Sequence, residues 1–233
     1  KLVPALADVR VRRAIAMAIN RKRIVEDIMG NFNKLATGIL PPGVDGAREN
    51  VLPYDYDPVK AKALLKEAGM DGKMPAMDMY YRSEQADYRL VVESVQADLK
   101  QNLGITINAK PLQTAAYLDR YNKKNLPTYH MRWGADYLDP QNFLSIFFNS
   151  TGNENKFNYS NPEVDRLTNL ADVEGDHEKR MKLYAQAEDI VLADVAWVPI
   201  FYQRDAELVS PRIQGMRESL FGHLPHTTVK LSN

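Results

Sequence analysis

Residues 77–109 read MDMYYRSEQADYRLVVESVQADLKQNLGITINA, and this stretch decides the fold class. Met77–Tyr81 is short and rich in apolar and aromatic residues, as a strand requires. Ser83 can cap a helix that runs to about Asn102. Tyr88, Val91, Val95 and Leu99 fall on one face of that helix at three- and four-residue spacing. Gly104 stops it, and Ile105, Ile107 and Ala109 then alternate as a second strand. Residues 113–123 form a further helix on Ala116, Leu118 and Tyr121, and Tyr129–Trp133 reads as a third strand. Strand, helix, strand, helix, strand at this spacing predicts parallel strands joined by right-handed crossover helices, hence an α/β fold.

On the N-terminal side, Asp8 is an N-cap for a helix over 9–18 with Val11, Ala14, Ile15 and Ala18 at helical spacing. Asn20 caps a second helix, Arg21–Met29, on Ile24, Val25 and Ile28, with Gly30 as its stop. Arg10, Arg12, Arg13 and the Arg21-Lys22-Arg23 run read as solvated helix faces, because no excess positive charge accompanies them. Residues 38–57 carry Gly38, Pro41, Pro42, Gly43, Gly46 and Pro53, which is the chemistry of a long loop. Asp57-Pro58 starts a helix to about Ala68. On the C-terminal side, Pro162 opens a helix to about Val173. A longer one covers 177–194 on Leu183, Ala187, Ile190 and Val191. Val195–Tyr202 is apolar, but Pro199 demotes it to an edge or irregular strand. Glu207–Val209 is a possible last strand, and 211–233 loses all period, as an arm leaving the domain would. The expected architecture is a mixed sheet with helices on both faces.

Composition narrows the function. The chain has 233 residues, which suits one domain with a small appendage. Thirty basic residues balance thirty acidic ones, so no net field draws it to nucleic acid or anionic lipid. No apolar run approaches the ~20 residues that span a bilayer. No signal peptide is visible, and an opening at Lys1-Leu2-Val3-Pro4 leaves a processed or truncated start open. Cysteine is absent, which removes disulfides, thiolate metal sites and a cysteine nucleophile.

Catalytic and metal patterns are missing too. His223 and His226 lie three apart, but without a third ligand they read as a surface pair, and no metal or cofactor is expected. There is no His-Glu-x-x-His run, no Gly-x-Ser-x-Gly elbow and no glycine-rich phosphate loop.

One segment does look like a site: Trp133-Gly134-Ala135-Asp136-Tyr137-Leu138-Asp139-Pro140. It follows a strand directly, and open α/β sheets bind ligands beyond the carboxyl ends of their strands. Asp136 between Trp133 and Tyr137 could hold a cation against an apolar wall. The bland alternative is a turn into a helix, with Asp139 as cap and Pro140 as first residue. Arg82, at the end of the first strand, would open on the same edge. One positive and one negative group there would suit a zwitterion. Alone, Arg82 reads first as an exposed rim charge of little energetic consequence.

Five pieces stand out together: Asp8-Val9-Arg10-Val11-Arg12-Arg13-Ala14-Ile15, Asp57-Pro58-Val59-Lys60-Ala61, Gln96-Ala97-Asp98-Leu99-Lys100-Gln101-Asn102-Leu103-Gly104-Ile105, Trp133-Gly134-Ala135-Asp136-Tyr137 and Asn158-Tyr159-Ser160-Asn161-Pro162. In them the sequence resembles the dipeptide/oligopeptide-type solute-binding proteins of ABC importers, extracellular family 5. These pieces come in order across nearly the whole chain. The resemblance implies the C-terminal lobe of a type II periplasmic-binding-protein fold that closes on its ligand like a clamp. Residues 1–7 would then be a hinge segment, 8–207 the ligand-binding lobe, and 208–233 an arm returning toward an N-terminal lobe missing from this chain. It also implies Asp136 as partner of a peptide's α-ammonium and Arg82 as partner of its carboxylate, with Trp133, Gly134 and Tyr137 completing the site. The implied partners are a peptide ligand and ABC permease subunits. The membrane enters only through a lipid anchor or the permease, at the outer face of the cytoplasmic membrane. A lobe for a sugar, opine or metal chelate stays open, as does the sensor domain of a regulator.

Overall fold

The computed structural model describes residues 2–206, 208–216 and 227–232. In chain order the main elements are α1 (Val9–Ala18), α2 (Arg21–Arg23, continued by a π-helical turn Ile24–Ile28), β1 (Lys34–Leu35), α3 (Pro58–Glu67), β2 (Met77–Arg82), α4 (Ala86–Leu103), β3 (Ile107–Leu112), α5 (Thr114–Asn122), β4 (Thr128–Tyr129), α6 (Ser145–Phe148), α7 (Pro162–Val173), α8 (His177–Ala193), β5 (Phe201–Tyr202), β6 (Ile213–Gln214) and β7 (Lys230–Leu231). The central sheet has the order β3-β2-β4 with every pair parallel, in register from Met77 opposite Ile107 to Arg82 opposite Leu112. The antiparallel pairs are separate ribbons, β1 with β5 and β6 with β7. Strand pairing is therefore mixed, with the parallel part central.

Local chemistry explains most helix starts. Asp8 Oδ1 accepts the Arg10 N–H at 2.8 Å, Asp57 Oδ1 the Lys60 N–H at 2.9 Å, and Asp176 Oδ1 the Lys179 N–H at 3.0 Å. Gly104 ends α4 at φ 69°, a left-handed turn that costs glycine nothing. Tyr88, Val91, Val95 and Leu99 are all buried, as their spacing requires. One core joins α1, α3, α4 and the sheet around Val11, Leu65, Val91 and Ile105. A second joins α6, α7 and α8 around Phe147, Phe148, Val164 and Tyr184, with Trp133 and Trp197 against it.

Several expectations are corrected. Ser83 does not cap α4: its N–H extends the sheet by donating to Leu112 O at 2.8 Å, and the helix begins at Ala86. Glu84 caps the next helix instead, accepting the Thr114 N–H at 2.7 Å. The buried face of α5 is Tyr117 and Tyr121, while Ala116 and Leu118 are exposed. The tyrosines can go inside because their hydroxyls find acceptors, Tyr117 on His130 O at 2.9 Å and Tyr121 on Glu154 Oε2 at 3.1 Å. In α8 the stripe shifts to Tyr184, Ala187, Glu188, Val191 and Leu192.

Nor are the arginines all a solvated face. Arg12 Nε and Nη2 donate to Asp194 O at 2.8 and 2.6 Å, and Arg13 Nη2 donates to Ala193 O at 2.8 Å. The last carbonyls of a helix lack partners within it, and the end of α8 takes these two guanidinium groups as its cap. Arg21 is buried and donates to Ala36 O at 2.9 Å. Val195–Tyr202 contributes only β5, and Leu208 and Val209 form no strand. Glu207, His223 and His226 lie outside the described residues.

Candidate functional site

The third strand is shorter than its sequence suggests. β4 stops at Tyr129, and the last sheet contact is the His130 N–H donating to Tyr80 O at 2.8 Å. From Met131 the chain leaves the sheet but keeps a period of two. Met131, Trp133 and Ala135 pack toward the second core, while Arg132, Gly134 and Asp136 are exposed. Among the described residues, the backbone N–H and C=O groups of 131–135 have no hydrogen-bond partner.

This bare segment lies along a groove of about 2140 Å³. It is also lined by residues of the loop at 38–44, by residues 156–161, and by the run from Asp194 to Asp205. Trp133, Gly134 and Asp136 line the groove. Trp133 stands edge-on to Phe147 with ring centroids 4.9 Å apart, so its position is set by the core. Asn142, 2% exposed, holds the turn: its Oδ1 accepts the Trp133 indole N–H and the Asp136 backbone N–H. Among the described residues, the Asp136 carboxylate has no ion-pair partner.

Two other residues singled out in the sequence do not line the groove. Tyr137 is exposed and donates its hydroxyl to Gln141 Oε1 at 2.6 Å. Arg82 sits at the carboxyl end of β2, the same edge from which 131–136 departs. Its Nη2 donates to Tyr88 Oη at 2.7 Å, with the guanidinium carbon 5.1 Å from the ring centre. The groove wall there is formed by Tyr88 and His130, whose rings lie 4.6 Å apart. Burial, with Arg82 adding to it, lowers the His130 pKa to about 4, and its Nδ1 is buried without a partner among the described residues.

Asp139 is a cap and more. Its Oδ1 accepts the Gln141 N–H at 2.9 Å, and Arg180 grips both its oxygens at 2.7 and 2.8 Å. Burial opposes the charge on Asp139, but these bonds prevail and hold its carboxyl below its ordinary range. Glu188, 1% exposed, pins the loop wall: Oε1 accepts the Ile39 and Leu40 N–H groups at 2.8 and 3.3 Å, and Oε2 accepts from Arg48 Nη2 at 2.8 Å. A Cβ on Gly38 would fall 3.0 Å from that carboxylate, so the close approach needs glycine. Sequence reading missed Asn142, Arg180 and Glu188. Only Glu188 left a signal, a charge interrupting the apolar stripe of α8.

Residues 2–155 match the family model described as "Bacterial extracellular solute-binding proteins, family 5 Middle". This chain belongs to that family. The family 5 relatives include the dipeptide-binding protein of Escherichia coli, 34% identical over 198 residues, covering 82% of this chain and 36% of the relative. Heme-binding protein A of Haemophilus influenzae is 32% identical over 221 residues, covering 93% of this chain and 40% of the relative. Among solved structures, OppA of Burkholderia pseudomallei superposes with a TM-score of 0.85 at 25% identity, covering 99% of this chain and 47% of that one. DppA of Helicobacter pylori in complex with the peptide STSA gives 0.77 at 28% identity, covering 85% and 39%. This family 5 chain thus spans about 40% of the length of the relatives it matches. The α/β architecture is that of the periplasmic binding proteins. Family 5 proteins are binding components of transport systems.

Proposed function

We propose that this chain is the C-terminal lobe of a solute-binding protein that captures peptides and hands them to an ABC permease, and that it acts as a carrier rather than a catalyst. On this reading 8–207 is the ligand-binding lobe, and 1–7 and 208–233 belong to the connections with an N-terminal lobe. The protein works outside the cytoplasmic membrane, held there by a lipid anchor or by the permease. Asp136 carries the reading. Among the described residues its carboxylate, exposed in the groove, has no cation, and it stands at the end of a backbone stretch whose polar groups have no partners. An extended peptide supplies what both lack. Its main chain can pair with 131–135 as an added strand, and its α-ammonium can neutralise Asp136.

Isothermal titration of the full-length protein with Ala-Ala-Ala tests this. N-acetylation of the peptide and Asp136→Asn should each weaken binding by about tenfold or more, the scale of one charge-assisted hydrogen bond. Equal affinity for the acetylated peptide would remove the reading. The name of the Haemophilus relative makes haem the second solute to titrate.

A further inference from the structure

The exposed face of the groove segment carries three residues, Arg132, Gly134 and Asp136, at positions i, i+2 and i+4 of a run whose burial alternates like a strand. All three line the groove. The middle one has no side chain, and nothing lies within 4 Å of where its Cβ would stand. The result is a bare backbone floor with a cation at one end and an anion at the other. Arg132 is 43% exposed along its side chain, and its one ion pair among the described residues is a loose 3.8 Å contact to Asp205, itself 77% exposed. Arg82, by contrast, is already engaged by Tyr88 and lies off the groove lining.

We propose that Arg132 is a carboxylate subsite, and that the ligand carboxylate displaces Asp205 from it. This rests on the peptide reading above and adds to it the ligand's second charge and its length. Four residues of extended chain separate Arg132 from Asp136 by about 13 Å, and an extended tripeptide measures about 10 Å end to end. An α-ammonium on Asp136 therefore places the carboxylate of a peptide of about three residues within reach of the Arg132 side chain. Gly134 leaves the main chain between them uncovered. Asp205 stands 3.8 Å from the guanidinium in the absence of ligand. Its contact is too long and too solvated to compete with a well-placed carboxylate.

The test is isothermal titration of the full-length protein with Ala-Ala-Ala and with its C-terminal amide. The free acid should bind about tenfold tighter than the amide. Arg132→Gln should bring that ratio to about one, Arg132→Lys should restore part of it, and Asp205→Asn should leave it at about tenfold or slightly above. A ratio unchanged in Arg132→Gln, or near one in the unsubstituted protein, overturns the subsite. If Asp136→Asn still weakens binding about tenfold or more in that case, the peptide reading stands without it. If neither Asp136→Asn nor N-acetylation matters, both fall.

Discussion

The indole N–H of Trp133 donates to Asn142 Oδ1 at 3.1 Å. The same oxygen receives the backbone N–H of Asp136 at 3.0 Å, so one buried amide sets both the aromatic wall and the acidic end of the groove segment. Asn142→Ala removes the acceptor while leaving two donors in place. We expect a loss of about 2 kcal/mol in unfolding free energy, the usual consequence of unpairing part-buried donors. We also expect a several-fold weaker ligand, because the Asp136 turn is no longer held. Urea denaturation and ligand titration read the two effects separately. Undiminished affinity would show that Asn142 supports the core only.

Glu188 is a buried carboxylate whose partners are two backbone amides and Arg48. Glu188→Ala leaves the Ile39 and Leu40 N–H groups without their acceptor beneath the loop that forms one groove wall, while Arg48 keeps Asp189 Oδ1 and Ala185 O. The expected destabilisation is about 2–4 kcal/mol, from two unpaired amides and the lost packing of the side chain. Glu188→Gln keeps an acceptor for Ile39 and Leu40 and should cost about half as much. Equal losses in the two variants would mean that the charge pair with Arg48 outweighs the amide contacts.

Periodicity made the sheet and its crossover helices legible, because β2, α4 and β3 each bury one face and nothing else competes for their pattern. The family motifs located the segment around Asp136 for the same reason that strand ends are legible: Trp133 and Gly134 follow an apolar run. What stayed hidden depends on contacts distant in sequence. Arg12 and Arg13 look like surface charges until the end of α8 arrives some 180 positions later with unpaired carbonyls. The α5 stripe misled because tyrosine counts as half polar, yet here its hydroxyls are satisfied inside. The stop of β4 at Tyr129 has no sequence mark either. It follows from the packing of Met131 and Trp133 onto the second core rather than onto β2.

His130 makes stability depend on pH in a definite window. Burial and Arg82 lower its folded pKa to about 4, from 6.5 in the unfolded chain. As pH falls below 6.5 the unfolded state takes a proton that the folded state refuses until about 4, so stability declines through that window and levels off beneath it. The full effect of such a shift is about 3 kcal/mol. His130→Gln cannot titrate. Urea unfolding at pH 7.5 and pH 4.5 should therefore show a loss in the unsubstituted protein that exceeds the variant's by about 2 kcal/mol. Parallel losses would assign the acid sensitivity to carboxylates such as Asp139 instead.

The isolated chain offers a last test, of the two-lobe reading itself. A ligand site ordinarily buries 70–90% of a small ligand's surface. The groove described here is open on one side, so a peptide lying along 131–136 would keep its outward half in water. Its ends would meet exposed charges, which contribute little each. Ordering the peptide opposes binding by a comparable amount. We therefore expect the chain alone to bind Ala-Ala-Ala no tighter than about 1 mM, some 4 kcal/mol, while the full-length protein reaches micromolar affinity. Titration of both forms with the same peptide decides it. Low-micromolar binding by residues 1–233 alone would mean that this groove is a complete site and needs no second wall.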